Sequence, residues 1–462
     1  MKSPPSRDEK LQQLRDSLSG DVLGPSDREY ERARLCFNLL IDRRPAAIAR
    51  CVDADDVAIA LAFAQSHGRE IAVRGGGHNP AGHCAVDEGL VIDLSRMRNV
   101  EVDPDARLAI SEGGATWLDF DAATQAHGLM TPGGVVGSTG VTGLTLGGGI
   151  GHLTAQYGLS CDNLIAAELV TPTGEMVRAS DDENPELLWG LRGGGGNFGV
   201  ATRLEFRLHP LERVVGGRLD YAGDGIREGL RTFRDVDAGA GNDLSCQAQL
   251  KVDQALTPTL TIVPCYTGSD EDPEEHRALR AAPGLVGDGV RSQGVLDQQR
   301  IFDPGYGVDR NYWKGHFVRD LPDELIDLLI GSLGVLGRPP GAILIESLRG
   351  APKDVDPEST ALGYRQAAFN VSVMASWTDA ALDDEHIAWA RETAAAIEPW
   401  SVSGGYANYM QADEPLGRVR SAFGPESFDR LRALKSRYDP DNILHRNQNI
   451  PPMSAGFSQE SD

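Results

Sequence analysis

Short apolar runs and amphipathic stretches alternate along the first 200 residues, and glycine-rich breaks separate them. In 49–68 (ARCVDADDVAIALAFAQSHG) the pattern predicts the end of a strand and then a helix that begins after Asp53 and ends at Gly68. Strands are predicted within 70–79 and 89–97, and a strand, a turn and a helix follow one another within 108–128. Residues 1–40 are predicted to form a helical lead-in.

A different pattern fills residues 213–405. Longer polar helices are predicted at 322–336 and 383–397, and segments such as 256–268 (LTPTLTIVPCYTG) and 367–378 (AAFNVSVMASWT) alternate apolar and polar positions. That alternation is typical of an antiparallel sheet with one covered face. The C-terminal stretch is loop-rich, with a predicted helix at 428–440. The pattern therefore indicates an α+β chain with two segregated regions.

The charge balance narrows the possible partners. Of 462 residues, 44 are Lys or Arg and 68 are Asp or Glu, which gives a formal net charge of −24, whereas a nucleic-acid binder needs clustered basic residues. No apolar run approaches the roughly 20 residues that span a bilayer, and the N-terminus lacks the apolar core of a signal peptide. We therefore expect a cytoplasmic protein with neither nucleic acid nor membrane as partner. The six cysteines are scattered without a CxxC pair, which predicts buried thiols and no metal site.

Three glycine clusters fall within the first 200 residues: 75–77, 147–151 with Gly143 upstream, and 193–196 with Gly199. Such loops let backbone N–H groups approach a phosphate or a flat ring without obstruction by a Cβ atom. Any one cluster alone is equally well explained as a tight turn. Three in one region favour a large nucleotide cofactor.

The string GGGNFG at 194–199 matches the dinucleotide fingerprint GxGxxG only formally. That fingerprint requires a helix after the glycines, because the helix N-terminus holds the pyrophosphate. Here the following text, VATRLEFRLHP, alternates like a strand, and no acidic residue suited to bind a ribose follows about 20 positions on. A nicotinamide-binding Rossmann domain is therefore excluded.

His78 ends the first glycine loop, in VRGGGHNPAG. An imidazole beside a row of backbone donors is compatible with a ligand, a base or a nucleophile, and equally with a structural histidine. His83, five residues on, is a weaker candidate for the same chemistry.

Four strings in the same order resemble those of the berberine-bridge-enzyme-like FAD-linked oxidases of the vanillyl-alcohol-oxidase superfamily. They are VRGGGHN (73–79), the glycine-rich 131–164, ELLWGLRGGGGNFGV (186–200) and YDPDNILHRNQNIPP (438–452). The resemblance implies a PCMH-type FAD-binding domain of two subdomains at 1–212 (core about 42–212), to which 410–462 returns. It implies a substrate domain at 213–409, built on an antiparallel sheet covered by helices. Monomer and homodimer both stay open.

The resemblance also implies how FAD is held. His78 matches the histidine that bonds to the flavin 8α carbon, while Val136 stands where many relatives carry a second, cysteinyl attachment, so a single covalent bond is expected. The residues implied to bind the cofactor lie in the four strings: Arg74, Gly75, Gly76, Gly77, His78, Asn79, Gly143, Gly147, Gly148, Gly149, Asp162, Asn163, Val200, Asn447 and Gln448.

The implied chemistry is hydride transfer from a C–H bond next to an O–H or N–H group, whose proton must leave at the same time. YANY (406–409) resembles the family's YxNY string, so Tyr409 is the candidate base and Tyr406 its orienting partner. Free tyrosine titrates near 10, and the role therefore needs a lowered pKa or a concerted transfer. Packing of two aromatic rings between the lobes is the structural alternative.

Substrate contacts are expected from Tyr312 and Lys314 in YWKGHF and from Trp377, with sheet packing as the open alternative. Thr139 matches a family position that influences oxygen access, and its small side chain favours an oxidase that reduces oxygen to hydrogen peroxide. A dehydrogenase with another acceptor is the alternative, and a flavin-binding protein without catalysis is a third. The resemblance implies that the substrate is a small alcohol, sugar, amine or secondary metabolite.

Overall fold

The computed structural model describes residues 6–303 and 309–453. The N-terminal subdomain holds a four-stranded sheet in the order β1-β2-β4-β3, in which β4 pairs in parallel with both β2 and β3. Asp53 caps the predicted helix by accepting from Asp56 N at 2.9 Å, and Gly68 follows the end of that helix with a φ of +57°. The predicted lead-in contains a strand between two helices. The elements are α1 Arg7–Ser17, β1 Asp21–Leu23, α2 Tyr30–Ala33, β2 Ala47–Arg50, α3 Ala54–Ser66, β3 Ile71–Arg74 and β4 Leu90–Asp93.

The second subdomain is a five-stranded antiparallel sheet in the order β5-β6-β10-β8-β9, packed on a core that includes Trp117, Phe120 and Phe206. The strand β10 follows GGGNFG directly, so no helix begins there and the exclusion of a Rossmann fingerprint is confirmed. The elements are β5 Val100–Asp103, β6 Leu108–Glu112, α4 Trp117–Gln125, β7 Leu129–Met130, α5 Val141–Leu146, α6 Thr154–Tyr157, β8 Leu164–Val170, β9 Met176–Ser180, α7 Pro185–Leu191, β10 Val200–Arg207 and β11 His209–Pro210.

The middle of the chain forms a ten-stranded antiparallel sheet whose main path is β16-β13-β15-β14-β19-β20-β18-β21. Successive side chains of a strand point to opposite faces, and on β20 Val371 and Val373 pack under the helices while Met374 faces the other way. The elements are β12 Arg213–Gly216, β13 Leu219–Ala222, α8 Gly225–Gly239, β14 Leu244–Val252, β15 Pro258–Tyr266, α9 Glu274–Ala281, β16 Leu285–Asp288, β17 Arg291–Gly294, α10 Val295–Gln299, β18 Arg310–Val318, α11 Asp323–Ser332, β19 Gly341–Ser347, α12 Ala351–Asp354, β20 Phe369–Trp377, α13 Asp383–Ile397 and β21 Ser401–Ser403.

Two last helices, α14 Leu416–Phe423 and α15 Pro425–Tyr438, return to the second subdomain. Lys435 on α15 is fully buried, and its Nζ donates to Asp439 Oδ2 at 2.6 Å, to Asn197 O at 2.9 Å and to Leu444 O at 3.0 Å. This cation therefore joins the third glycine loop to the terminal segment.

The predicted α+β fold class is confirmed, and so are the helix predicted at 383–397 and the C-terminal helix. A helix also forms in 322–336, but it ends at Ser332, four residues before the predicted end. The domain boundaries at 212 and 409 stay predictions. Among the residues that the structure describes, no helix has the length and apolar character needed to cross a bilayer.

Candidate functional site

A deep cavity lies where the three glycine loops, the ten-stranded sheet and the terminal segment meet. Its empty space is about 1640 Å³, counting open solvent at the mouth. Most of the predicted cofactor residues line it: Gly75, Gly76, Gly77, His78, Asn79, Gly143, Gly147, Val200, Asn447 and Gln448.

Two glycines of these loops lie too close to neighbouring segments to carry a side chain. A Cβ on Gly76 would lie 2.3 Å from Gly140 N, and one on Gly147 would lie 2.1 Å from Asn408 Oδ1. Thr142 Oγ1 and Asn447 Oδ1, on two lining residues, are buried and make no hydrogen bond within the described part of the chain. Buried polar atoms of this kind normally have partners, so a narrow cradle with unused acceptors suits a dinucleotide with a flat ring.

His78 stands at the cavity wall between a ring and two hydroxyls. Its imidazole stacks on Phe37 with ring centroids 4.4 Å apart, Nε2 lies 2.9 Å from Ser138 Oγ and Nδ1 lies 3.4 Å from Thr139 Oγ1. Burial lowers the pKa of His78 to about 4. The ring is therefore neutral near pH 7, which leaves a nitrogen lone pair for bonding.

Asn447 and Gln448 reach the cavity on the terminal segment that Lys435 anchors. Asn447 Nδ2 donates to Leu444 O at 2.9 Å, and Gln448 Nε2 donates to Met410 O at 3.2 Å. Both side chains are thus oriented by carbonyl groups of their own chain.

Three predicted cofactor residues stand one layer behind the wall. The Arg74 guanidinium is buried and donates to the Ala33 and Arg34 carbonyls, which fixes the chain just before the first glycine loop. Gly148 and Gly149 are absent from the lining, because their carbonyl groups accept from the backbone of 160–161. These residues support the cradle from behind.

Asp162 and Asn163, also predicted to bind the cofactor, likewise lie behind the cavity wall. Asp162 accepts from Arg365 Nη2 at 2.5 Å and from Leu159 N at 2.9 Å, and Asn163 Nδ2 donates to Tyr157 O at 2.8 Å. Neither side chain lines the cavity. Their hydrogen bonds instead hold the turn that carries the backbone partners of Gly148 and Gly149.

Tyr409 lies at the cavity beside a carboxyl group that the sequence analysis missed. Its Oη donates to Glu346 Oε1 at 3.3 Å, and its ring meets Trp313 edge-on at 5.5 Å. Glu346 is fully buried on β19, where Asn370 Nδ2 donates to its other oxygen at 2.7 Å. Burial raises the pKa of Glu346 to about 7. The signal in the sequence was a single acid within the apolar run GAILIES.

Tyr406 has a different position from the one its motif suggests. It is fully buried, and its Oη accepts from Gly149 N at 3.0 Å, from Ile150 N at 3.2 Å and from Asn408 Nδ2 at 2.9 Å. Burial raises its pKa above the ordinary value. Tyr406 therefore fixes the second glycine loop, and it orients Tyr409 only through an edge-on ring contact at 4.7 Å.

Tyr312 and Lys314 lie on the face of the sheet away from the cavity. Tyr312 Oη donates to Asp413 Oδ2 at 2.7 Å, and Lys314 Nζ donates to Glu414 Oε1 at 2.6 Å. Because side chains alternate along β18, the residue between them, Trp313, is the one that lines the cavity.

Trp377 also lies on the face of the sheet away from the cavity, because side chains alternate along β20. Its Nε1 donates to Asp383 Oδ1 at 2.7 Å and its ring stacks on His386. It therefore packs under the helices, while Met374, three positions earlier on β20, packs near Trp313.

In 6–303 and 309–453, no cluster of His, Cys, Asp or Glu is placed to hold a metal ion.

Comparison with known proteins identifies the family. Residues 45–180 match the model described as an FAD binding domain, and residues 405–451 match the model described as berberine and berberine like. (R)-6-hydroxynicotine oxidase of Paenarthrobacter nicotinovorans is 32% identical over 453 residues, which cover 94% of this chain and 97% of that protein.

Solved structures agree with this assignment. That of 6-hydroxy-D-nicotine oxidase from Arthrobacter nicotinovorans has a TM-score of 0.85 at 29% identity and covers 94% of this chain and 98% of its own. Glucooligosaccharide oxidase of Acremonium strictum, whose flavin is described as 6-S-cysteinyl, 8α-N1-histidyl FAD, has a TM-score of 0.84 at 21% identity and covers 96% of this chain and 99% of its own. Because a relative at 32% identity matches nearly the whole chain, and because the glycine cradle lies in a matched FAD domain, this chain belongs to the berberine-bridge-enzyme-like family of FAD-linked oxidoreductases.

Proposed function

We propose that this chain is an oxidase that removes a hydride and a proton from a small alcohol or amine, with FAD bound through His78 alone and oxygen as the final acceptor. The observation that carries the proposal is the hydrogen bond from Tyr409, which lines the cofactor cavity, to the buried carboxyl group of Glu346. When bound, FAD supplies the hydride acceptor.

The pair provides a path for the substrate proton. Tyr409 already donates to Glu346, so it can take the proton of a substrate O–H or N–H group as its own proton passes to the carboxylate. This transfer avoids a free tyrosinate, whose formation near pH 7 is opposed by the ordinary pKa near 10. Glu346, with a pKa of about 7, is suited to accept and later release that proton near neutral pH.

The surroundings of Tyr409 favour one charge class of substrate. Val136, Trp313, Leu344 and Met374 form an apolar cluster against its ring, and Glu346 adds an acid. An anionic group beside the reacting carbon would be desolvated next to that acid, at a large energetic cost. An uncharged or cationic substrate suits this wall, which agrees with a relative named for a hydroxynicotine.

Attachment through His78 alone is supported by the cavity wall. His78 is neutral, and Val136 lines the cavity in place of the cysteine expected for a second bond. The Acremonium enzyme, by contrast, has a 6-S-cysteinyl, 8α-N1-histidyl FAD. Thr139, whose Oγ1 lies 3.4 Å from His78 Nδ1, also lines the cavity, and its small side chain supports oxygen as the acceptor.

The first experiment is the intact mass of the acid-denatured protein, measured for the parent, His78→Ala and His83→Ala. His83 is a matched control, because it lines the same cavity and burial and Arg446 lower its pKa to about 4 as well. We expect one FAD of added mass in the parent and in His83→Ala, and none in His78→Ala. Added mass in the parent and in both variants would reject His78 as the attachment site.

The second experiment tests the reaction. The yellow protein is mixed without oxygen with a panel of small amines, alcohols and carboxylates, and then with air. Bleaching by amines or alcohols, followed by recolouring and peroxide release, is the expected result. Recolouring only with an added artificial acceptor would show a dehydrogenase instead.

A further inference from the structure

One guanidinium group lies at the wall of the cavity. Arg446, on the terminal segment, is the only Lys or Arg that lines it within 6–303 and 309–453, and no Asp or Glu of that part of the chain lines it. The two histidines of the wall, His78 and His83, are neutral near pH 7, because burial lowers the pKa of each to about 4. Arg446 therefore carries the only permanent charge of the described wall.

Glu70 holds this guanidinium in place. Arg446 Nη1 donates to Glu70 Oε1 at 2.9 Å, and His445 Nε2 lies 3.3 Å from the same oxygen. Glu70 directly precedes β3 and is partly exposed, whereas most of the Arg446 side chain is buried. The ion pair thus joins the terminal segment to the start of the strand that leads into the first glycine loop.

One donor of Arg446 has no acceptor within the described part of the chain. Its Nε is buried and makes no hydrogen bond there. Buried polar atoms normally have partners, and an unpaired donor on a charged group is costly. A ligand that offers an anionic oxygen in the cavity would satisfy this donor, and a guanidinium binds phosphate oxygens through two donors at once.

The charge balance indicates which part of a dinucleotide needs such a group. FAD carries one negative charge on each of its two phosphates, and the chain itself has a formal net charge of −24. Removing a diphosphate from water is costly unless its charge is compensated. The glycine loops supply only backbone dipoles, and the Arg74 guanidinium behind them donates to the Ala33 and Arg34 carbonyls. Arg446 is the cation that remains at the described wall.

We propose that Arg446 binds the diphosphate of FAD, with Glu70 orienting the guanidinium. The terminal segment is then attached to the cofactor by an ion pair as well as through Asn447 and Gln448. The proposal rests on the FAD of the proposed function, and it is independent of the substrate and of the final acceptor.

The test is the dissociation of FAD from the full-length holoprotein on dilution, followed by the fluorescence of the released flavin. It is made in His78→Ala, or in the parent if the intact mass shows no covalent flavin. Arg446→Gln should weaken FAD binding about 10–100-fold, the loss expected for a hydrogen bond to a charged group. Arg437→Gln is the control, because it removes the same charge from an exposed side chain outside the cavity.

Glu70→Gln separates cofactor binding from a purely structural ion pair. The glutamine oxygen still accepts from Arg446 Nη1, but the guanidinium no longer shares its charge with a carboxylate. We expect FAD to bind about threefold more tightly. An ion pair that only held the terminal segment would give weaker binding in Glu70→Gln and in Arg446→Gln alike. That result, or unchanged binding in Arg446→Gln, would overturn the proposal.

Competing nucleotides locate the contact. ADP and adenosine are each added to the holoprotein to displace FAD, and only ADP carries the diphosphate. In Arg446→Gln the dissociation constant of ADP should rise by about the same factor as that of FAD, while that of adenosine stays unchanged. An equal rise for adenosine would reject the diphosphate contact. Because these measurements need neither substrate nor oxygen, the expected pattern in a protein that oxidises none of the panel would reject the oxidase and retain the role of Arg446.

Discussion

Replacing Glu346 by Gln removes the proton acceptor while preserving the size of the side chain. In the parent, Glu346 accepts from both Tyr409 and Asn370. A glutamine can still offer its carbonyl oxygen to Asn370, but its amide group then donates toward Tyr409. The tyrosine proton loses its destination, although the packing of the site is retained.

Two opposite effects follow from one substitution. Loss of a positioned proton acceptor typically lowers kcat about 10²–10⁴-fold. The free energy of unfolding should increase, because the substitution removes a buried carboxyl group whose pKa is raised from 4.5 to about 7. At 1.36 kcal/mol per pH unit, holding this group charged in the folded state costs about 3 kcal/mol.

The pH dependence fixes the sign of that stability effect. Below the ordinary pKa the carboxyl is protonated in both folded and unfolded chains, and the cost is absent; it grows as pH rises and is complete above about 7. Glu346→Gln should therefore raise the free energy of unfolding by about 3 kcal/mol at about pH 8.5 and by little at about pH 4.

The assays are steady-state kinetics across pH and urea unfolding at the two ends of the range. In the parent, kcat/KM should rise with pH through an apparent pKa near 7, and this rise should vanish in Glu346→Gln. Tyr409→Phe serves as the matched variant and should lose activity without the gain in stability. A glutamine variant with parental kcat/KM and an unchanged pH profile would refute the proton path.

Three further substitutions test the supporting structure. Gly76→Ala should lower the free energy of unfolding by about 1–3 kcal/mol and weaken flavin binding, because its Cβ would lie 2.3 Å from Gly140 N. Differential scanning fluorimetry measures the stability and flavin absorbance measures the bound cofactor. Gly417→Ala is the control, because its Cβ would meet nothing within 4 Å. Lys314→Met should leave KM and kcat unchanged, because the side chain faces away from the cavity, while it lowers stability by about 1–3 kcal/mol through its lost carboxylate contacts; a raised KM would contradict the assigned face. Lys435→Met should cost about 3–5 kcal/mol in urea unfolding, because it leaves a buried carboxylate without its cation, and a loss below about 1 kcal/mol would contradict that pairing.

Local backbone requirements were the part of the site that could be predicted from the sequence. The glycine loops and His78 are contiguous strings, and the same short segments build the cavity wall. Side-chain direction on the sheet was not accessible in this way. The string YWKGHF does belong to the strand at the cavity, β18. Which of its side chains face the cavity depends on the register of its pairing with the distant strand β20, and this register places Trp313 rather than Lys314 there.

Long-range pairing also explains the missed carboxyl. Glu346 meets Tyr409 across 63 positions of the chain, and nothing in GAILIES marks the acid as functional. Asp162 shows the converse case: it lies in a family string, but its partner Arg365 is 203 positions away, and that ion pair holds it away from the cavity.

The anchoring of the terminal segment by Lys435 has a consequence for biosynthesis. Asn447 and Gln448 complete a wall that begins with residues near position 75, and His445 contacts Glu70 across 375 positions. At about 5–20 residues per second, a ribosome needs roughly 20 to 75 s to pass from one side of this wall to the other. During that interval the glycine loops have been made but have no terminal segment to close over a nucleotide. Cofactor capture is thus coupled to the synthesis of Asn447 and Gln448, so that a polypeptide terminated before them would lack a closed site in which to retain a redox-active flavin.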